Sequence, residues 1–249
     1  MSIRIGDDNR AADRTGLTGR HPSEDPASRP AGVAAPFLVT AVDLLAFAAR
    51  AERALVRHRV CLDRLDARLG DGDHGENMSV GFGDAARSIG PEDDEGDIGD
   101  LLRRMGHTLV AGVGGAGGSL YGTALIEAGI AVLGRRTLDA RGMALALDAA
   151  AEGLARRGRC RLGDKTIYDA LRPAADAFTK AVDEGLDSGE ALTRAAAVAR
   201  AGMLATRPLI ARRGLALRLG ERSRGHQDPG ATSCFLIMRS MLPPAGRAR

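Results

Sequence analysis

Three aspartates, Asp66, Asp71 and Asp73, lie close together in the chain, the last two inside the run Gly70-Asp71-Gly72-Asp73-His74-Gly75-Glu76-Asn77. Hard divalent cations such as Mg²⁺ take oxygen ligands, commonly one or two carboxylates together with phosphate oxygens and waters. Three clustered carboxylates can therefore hold one or two ions against a phosphorylated ligand, and the interleaved glycines let backbone approach the phosphates. The same residues also make ordinary turns, so the run by itself leaves a metal–phosphate site and a plain acidic turn level. An EF-hand is excluded: counting from Asp71, the position that should carry the closing glutamate is Phe82.

Three further glycine-marked stretches carry polar chemistry. Gly112 to Gly122 contains Gly112, Gly114, Gly115, Gly117, Gly118 and Gly122, separates two helical patterns and would offer unsatisfied N–H groups to an anion at a helix start. It has neither the Lys-Ser/Thr ending of a Walker loop nor the preceding strand of a dinucleotide fold. Gly163-Asp164-Lys165-Thr166-Ile167-Tyr168-Asp169 reads as a helix start with Asp164 as cap and Lys165 solvated. Leu219 to Ser233, holding Glu221, Arg222, Arg224, His226, Gln227 and Asp228, reads as a polar loop without structure of its own, a kind that is usually either functional or disordered, and its mixture of Arg, His, Gln and Asp argues for function.

The elements that must position these stretches are helical. The chain has 249 residues, 44% of them hydrophobic and 3% aromatic, with a formal net charge of +3 made of interspersed charges. Such a chain lacks the basic patches and stacking platforms of a nucleic-acid binder, and it has no apolar run of the ~18 residues that a membrane span needs. Cys61, Cys160 and Cys234 are scattered without zinc or disulfide spacing, and no secretory signal pattern opens the chain, so a cytoplasmic protein is expected. Residues 1–36, rich in Gly, Pro, Asp, Arg and Ser, read as a disordered or loosely attached tail. Residues 37–243 read as one helical domain and residues 244–249 as a C-terminal tail. Helix formers dominate from Phe37. Apolar spacing predicts helices from Thr40 to Asp66, Ile98 to Val110, Tyr121 to Leu133, Arg141 to Arg156, Lys165 to Val182, Gly189 to Thr206 and Thr232 to Met241. The acidic run Glu92 to Asp97 reads as a solvated interhelical loop. The expected fold class is all-α, an antiparallel up-and-down bundle.

The four stretches, in this order after Asp66, resemble the nucleotide-binding L subunit of bacterial dihydroxyacetone kinase, from about Phe37 to Leu242. The resemblance implies an eight-helix antiparallel barrel whose loops at one end bind ADP or ATP through two Mg²⁺ ions. It assigns Asp66, Asp71 and Asp73 as metal ligands with a catalytic consequence. By the same resemblance His74, Gly75, Glu76, Asn77, Ala116 and Gly117 line the nucleotide, Gly158 and Ile167 border the base, and Asp228, Pro229 and Gly230 close over it. The partner implied is a separate K subunit carrying the ketose, which these residues are not expected to include. A phosphotransferase M-type subunit and a homodimer are implied too, with a phosphoenolpyruvate-dependent donor favoured by His74 to Asn77. Two departures stand out: Leu215 where the family usually has an arginine, and Gly117-Gly118-Ser119 where it commonly has Ser-Gly-Pro. A kinase subunit for another small ketose such as a tetrulose, and a subunit that signals nucleotide occupancy, are the alternatives.

Overall fold

Eight α-helices make up the described part of the chain, residues 38–242 of a computed structural model; the two expected tails fall outside these residues. The helices are α1 (Ala41–Asp66), α2 (His74–Arg87), α3 (Ile98–Gly112), α4 (Gly115–Ala131), α5 (Ala140–Gly158), α6 (Tyr168–Asp183), α7 (Ser188–Ala205) and α8 (Pro229–Ser240). Their starts are written in local chemistry. Thr40 and Asp43 form a reciprocal capping box on α1, Asp187 and Glu190 do the same on α7, and Asp97, Asp139 and Asp228 cap α3, α5 and α8 through their carboxylates. A two-residue strand β1 (Val39–Thr40) pairs antiparallel with β2 (Thr137–Leu138).

Each helix packs on the next in the chain, and α8 returns to α1, so the ring closes on itself. Its core is built from aliphatic and aromatic side chains with no solvent exposure to speak of, among them Leu55, Leu62, Met78, Phe82, Met105 and Phe178. Between the helices runs an apolar cavity of about 670 Å³, bordered by Phe47, Phe82, Leu102, Tyr121, Met143 and Leu147. No helix among the described residues is long and apolar enough to cross a membrane.

Antiparallel neighbours bring alternate junctions to the same end. The α1–α2, α3–α4, α5–α6 and α7–α8 junctions therefore converge, and these four contain the four glycine-marked stretches.

Three elements differ from the sequence reading. The run after Asp73 is helical from His74 onward, an element the apolar spacing did not reveal, because Gly75, Gly81 and Gly83 lower its propensity. Two of those glycines are contact points: a Cβ on Gly75 would strike the Arg59 carbonyl of α1, and one on Gly81 would strike Val113. The long glycine stretch is likewise mostly helix, interrupted only at Val113 and Gly114. A Cβ on Gly106 would lie 2.7 Å from the Gly122 carbonyl oxygen, so here glycine serves close approach of α3 and α4. The fifteen-residue loop is structured as well, with a 3₁₀ segment over Leu215–Ser223 and α8 beginning at Pro229.

Candidate functional site

The four converging junctions enclose a cavity of about 390 Å³. On one side stand the aspartates. Asp66 ends α1, and its Oδ2 accepts the backbone N–H groups of Gly72 (3.0 Å), Asp73 (3.2 Å) and His74 (3.3 Å), so the loop wraps around a single carboxylate. A Cβ on Gly70 would lie 2.5 Å from Asp66 Oδ1, and glycine there keeps the other oxygen uncovered. One carboxylate oxygen from each of Asp66, Asp71 and Asp73 lies within 4.8 Å of the others. Burial pushes the Asp66 carboxyl above its ordinary value, partly offset by the Gly72 N–H and reinforced by the neighbouring Asp71. Crowded carboxylates of this kind, one buried and two exposed, fit a hard cation, whose charge would relieve their mutual repulsion.

Bordering the same cavity is the start of α4. Its cap, Gly114, has no side chain to satisfy the first N–H groups, and Gly114, Gly115, Ala116 and Gly117 all border the cavity. Without a side-chain cap, the first N–H groups and the positive end of the helix dipole favour negative charge at this terminus. Gly117 sits close to α2: a Cβ there would be 3.3 Å from Met78 Sδ and 3.7 Å from His74 Cε1.

The floor is a polar chain through three helices. The His74 Nε2 shares a hydrogen bond of 2.9 Å with Ser233 Oγ, Ser233 Oγ lies 2.7 Å from the Tyr121 hydroxyl, and that hydroxyl donates to the Gly230 carbonyl. Burial holds the His74 imidazole down to about 4, leaving it neutral at physiological pH, and drives the Tyr121 phenol well above its usual range. Tyr121, edge-on to Phe82 with ring centroids 5.7 Å apart, borders both cavities and so divides the polar site from the apolar interior.

The third wall is the α5–α6 junction, with Gly158, Cys160 and Ile167 on the cavity. The fourth is the α7–α8 connection. Arg213 and Leu215 line it, whereas Arg212 and Arg218, the other basic residues near Leu215, do not. Asp228 caps α8 through the Ala231 N–H at 2.7 Å, followed by Pro229 and Gly230 at the first helical positions. Burial raises the Asp228 carboxyl to about 7 despite that hydrogen bond and the attraction of Lys165.

Of the site residues expected from sequence, Asp66, Asp71, Asp73, His74, Asn77, Ala116, Gly117, Gly158, Ile167, Asp228, Pro229 and Gly230 come together around this cavity. Gly75 and Glu76 do not line it. Gly75 faces the backbone of α1, and Glu76 turns outward to pair with Arg59. Sequence reasoning missed Tyr121, Ser233 and Lys165. Lys165, expected in solvent, is 2% exposed. The signal for it in the sequence was its place between Asp164 and Asp169 in a glycine-marked stretch.

Residues 68–243 match the DAK2 domain family. Over 180 residues the chain is 38% identical to the ADP-binding subunit DhaL of the PEP-dependent dihydroxyacetone kinase of Escherichia coli (strain K12), covering 72% of this chain and 85% of that protein. It is also 38% identical over 181 residues to an L-erythrulose 1-kinase of Mycolicibacterium smegmatis, 72% of this chain but 31% of the larger enzyme. The fold matches the crystal structure of the dihydroxyacetone kinase from C. freundii in complex with AMP-PNP and Mg²⁺ with a TM-score of 0.63 at 20% identity, covering 89% of this chain and 37% of that one. With a family match over most of its described residues and 85% of the E. coli subunit covered at 38% identity, the chain belongs to the DAK2 domain family, which includes ADP-binding subunits of dihydroxyacetone kinase.

Proposed function

We propose that this chain binds Mg-ADP or Mg-ATP in the four-junction cavity and passes a phosphoryl group to a ketose held on a separate K subunit. The single observation that carries this reading is that an oxygen-ligand cluster, Asp66, Asp71 and Asp73, and the uncapped glycine start of α4 border one and the same cavity. A metal–polyphosphate needs both sides: carboxylates for the cation and N–H donors for the anion.

In this reading the three aspartates hold Mg²⁺, two ions being the number we favour. When bound, the metal would neutralise charge on the transferring phosphoryl oxygens. The α4 amides of Ala116 and Gly117 receive phosphate oxygens, and Gly117, lacking a side-chain hydroxyl, leaves that task to backbone alone. Asn77 and neutral His74 line the same cavity as the aspartates, where His74 accepts or donates without adding charge. Ile167 and Gly158 provide apolar contact and a close backbone approach for the base. Asp228, Pro229 and Gly230 close the opposite side as the start of α8. Leu215 cannot make charge-assisted bonds to phosphate; Arg213, two residues away and on the cavity, is the cation best placed to take that part.

The donor we favour is a phosphoenolpyruvate-dependent phosphotransferase chain with an M-type subunit recharging bound ADP, in a cytoplasmic, homodimeric protein whose functional domain is residues 37–243. The likeness to an L-erythrulose 1-kinase supports a second reading, in which the ketose is a tetrulose, since sugar choice resides in the K-type partner. Calorimetry with Mg-ADP tests the site: Asp66→Ala, Asp71→Ala and Asp73→Ala should each weaken binding by more than about 100-fold, and unchanged affinity in any one of them would refute its assignment. Turnover with a K subunit, comparing dihydroxyacetone with erythrulose and ATP with phosphoenolpyruvate plus phosphotransferase proteins, decides sugar and donor.

A further inference from the structure

The chain contains two lysines against a large excess of arginine, and one of the two, Lys165, is 2% exposed. Its backbone is left-handed, with φ +62°, a conformation that a side-chain-bearing residue adopts only when its surroundings hold it there. From this turn the side chain reaches across to the α7–α8 connection. Nζ donates to the Thr206 carbonyl at 2.7 Å and to the His226 carbonyl. Thr206 is the residue at which α7 ends, and His226 lies just before the cap of α8. One cation thus ties together the two ends of the whole α7–α8 connection.

Neighbouring bonds extend the clasp. The Asp164 carbonyl accepts the Arg212 N–H at 3.0 Å and its carboxylate accepts from Arg213 Nε at 3.1 Å, so the same α5–α6 turn also grips the middle of the connection. At the base, the Thr206 hydroxyl accepts the Asp228 N–H at 3.0 Å, and the Arg207 carbonyl accepts the Gly225 N–H at 2.7 Å. The turn itself does not depend on Nζ, because the Asp169 carboxylate accepts the N–H groups of Gly163 (2.5 Å) and Thr166 (2.7 Å). Removing the ammonium therefore takes away the side chain that binds both ends of the connection, loosening it while leaving the turn. Burial lowers the ammonium below the usual lysine range, while Asp228 and Asp169 draw it back towards the charged form. A buried ammonium is retained only where carbonyls and carboxylates replace its water; a bulkier guanidinium would have to displace those same groups.

We propose that Lys165 is a positioning residue for ligand retention: by pinning Thr206 and His226 it holds the wall formed by Arg213, Leu215 and Asp228 to Gly230 against the bound nucleotide. The inference rests on the reading of this cavity as the nucleotide site. It is tested in the full chain with Lys165→Met, which keeps the apolar stem, and Lys165→Gly, which also accepts the left-handed backbone. A fluorescent N-methylanthraniloyl-ADP with Mg²⁺ reports dissociation, and hydrogen exchange reports each segment. Both variants should keep their helical circular dichroism, release the nucleotide about tenfold faster, and exchange amides of residues 207–227 at least about tenfold faster while α1 to α3 stay protected. Lys165→Arg, able to donate to the same carbonyls, should fall between them and the unmodified chain. Dissociation and loop exchange within about twofold of the unmodified chain in both variants, or exchange raised evenly over all helices, would overturn the proposal. Failure of the unmodified chain to bind the fluorescent nucleotide would instead overturn the reading of the cavity, and this inference with it.

Discussion

Two buried titratable side chains on the site have pKa values displaced in opposite directions. His74 falls from 6.5 to about 4 on folding, so as the pH drops below 6.5 the unfolded chain takes up a proton first. Its contribution to stability is therefore present above 6.5 and drains away towards about 4. Asp228 rises from 3.8 to about 7, so the folded chain holds its proton more tightly. That contribution is complete below 3.8 and is lost as the pH climbs through about 7. Between pH 4 and 7 the two largely cancel. Asp228→Asn leaves an oxygen to accept the Ala231 N–H but abolishes the carboxyl titration. In the metal-free variant, the midpoint of thermal unfolding should fall more steeply with acidification from pH 6.5 to 4 than in the unmodified chain. The difference should amount to a few kcal/mol, at ~1.4 kcal/mol per pKa unit. Melting curves that run parallel across this range would show that Asp228 is not titrating as a buried acid.

At the level of elements, what the sequence made legible was whatever depends on short-range chemistry. The seven helices found by apolar spacing all reappear, six of them with both ends within about three residues, because capping and burial act locally. The α2 helix and the first turns of α4 were illegible for one physical reason. Their glycines look like breakers along the chain, and only a neighbouring helix, absent from any local window, turns them into contact points. The same gap explains Lys165 and Ser233, whose partners lie in other junctions. Glycines at a close helix contact and glycines open to solvent should respond oppositely to alanine. On Gly106 a Cβ would meet the Gly122 carbonyl and Ile126 Cγ1, both at 2.7 Å, so Gly106→Ala must part α3 from α4, at a cost of about 1–3 kcal/mol. On Gly112 the nearest atom, Asp84 Oδ2, is 3.8 Å away, so Gly112→Ala should be neutral or stabilising by up to about 1 kcal/mol. Urea unfolding of the two variants checks both; equal effects would mean that helix propensity, not approach, governs this pair.

Over the whole molecule, the ring closes through α8 on α1, and the site draws one wall from each of four junctions that together involve all eight helices. A ligand seated there bridges elements far apart in sequence, and its binding free energy is added to the folded state as a unit. At Mg-ADP concentrations about 100 times Kd, the folded chain gains ~2.7 kcal/mol, which for a domain of this size raises the unfolding midpoint by roughly 5–10 °C. Because the aspartates hold the phosphate end through the cation, chelating Mg²⁺ should abolish nearly all of that gain at the same ADP concentration. Hydrogen exchange should locate the protection at Asp66 to Asn77, Gly114 to Gly117, the residues around Ile167 and Asp228 to Gly230 together. Protection confined to one of these segments, or a midpoint shift that survives chelation, would mean that the junctions do not act as one site, and that the convergence of alternate turns is a property of the barrel without consequence for what it binds.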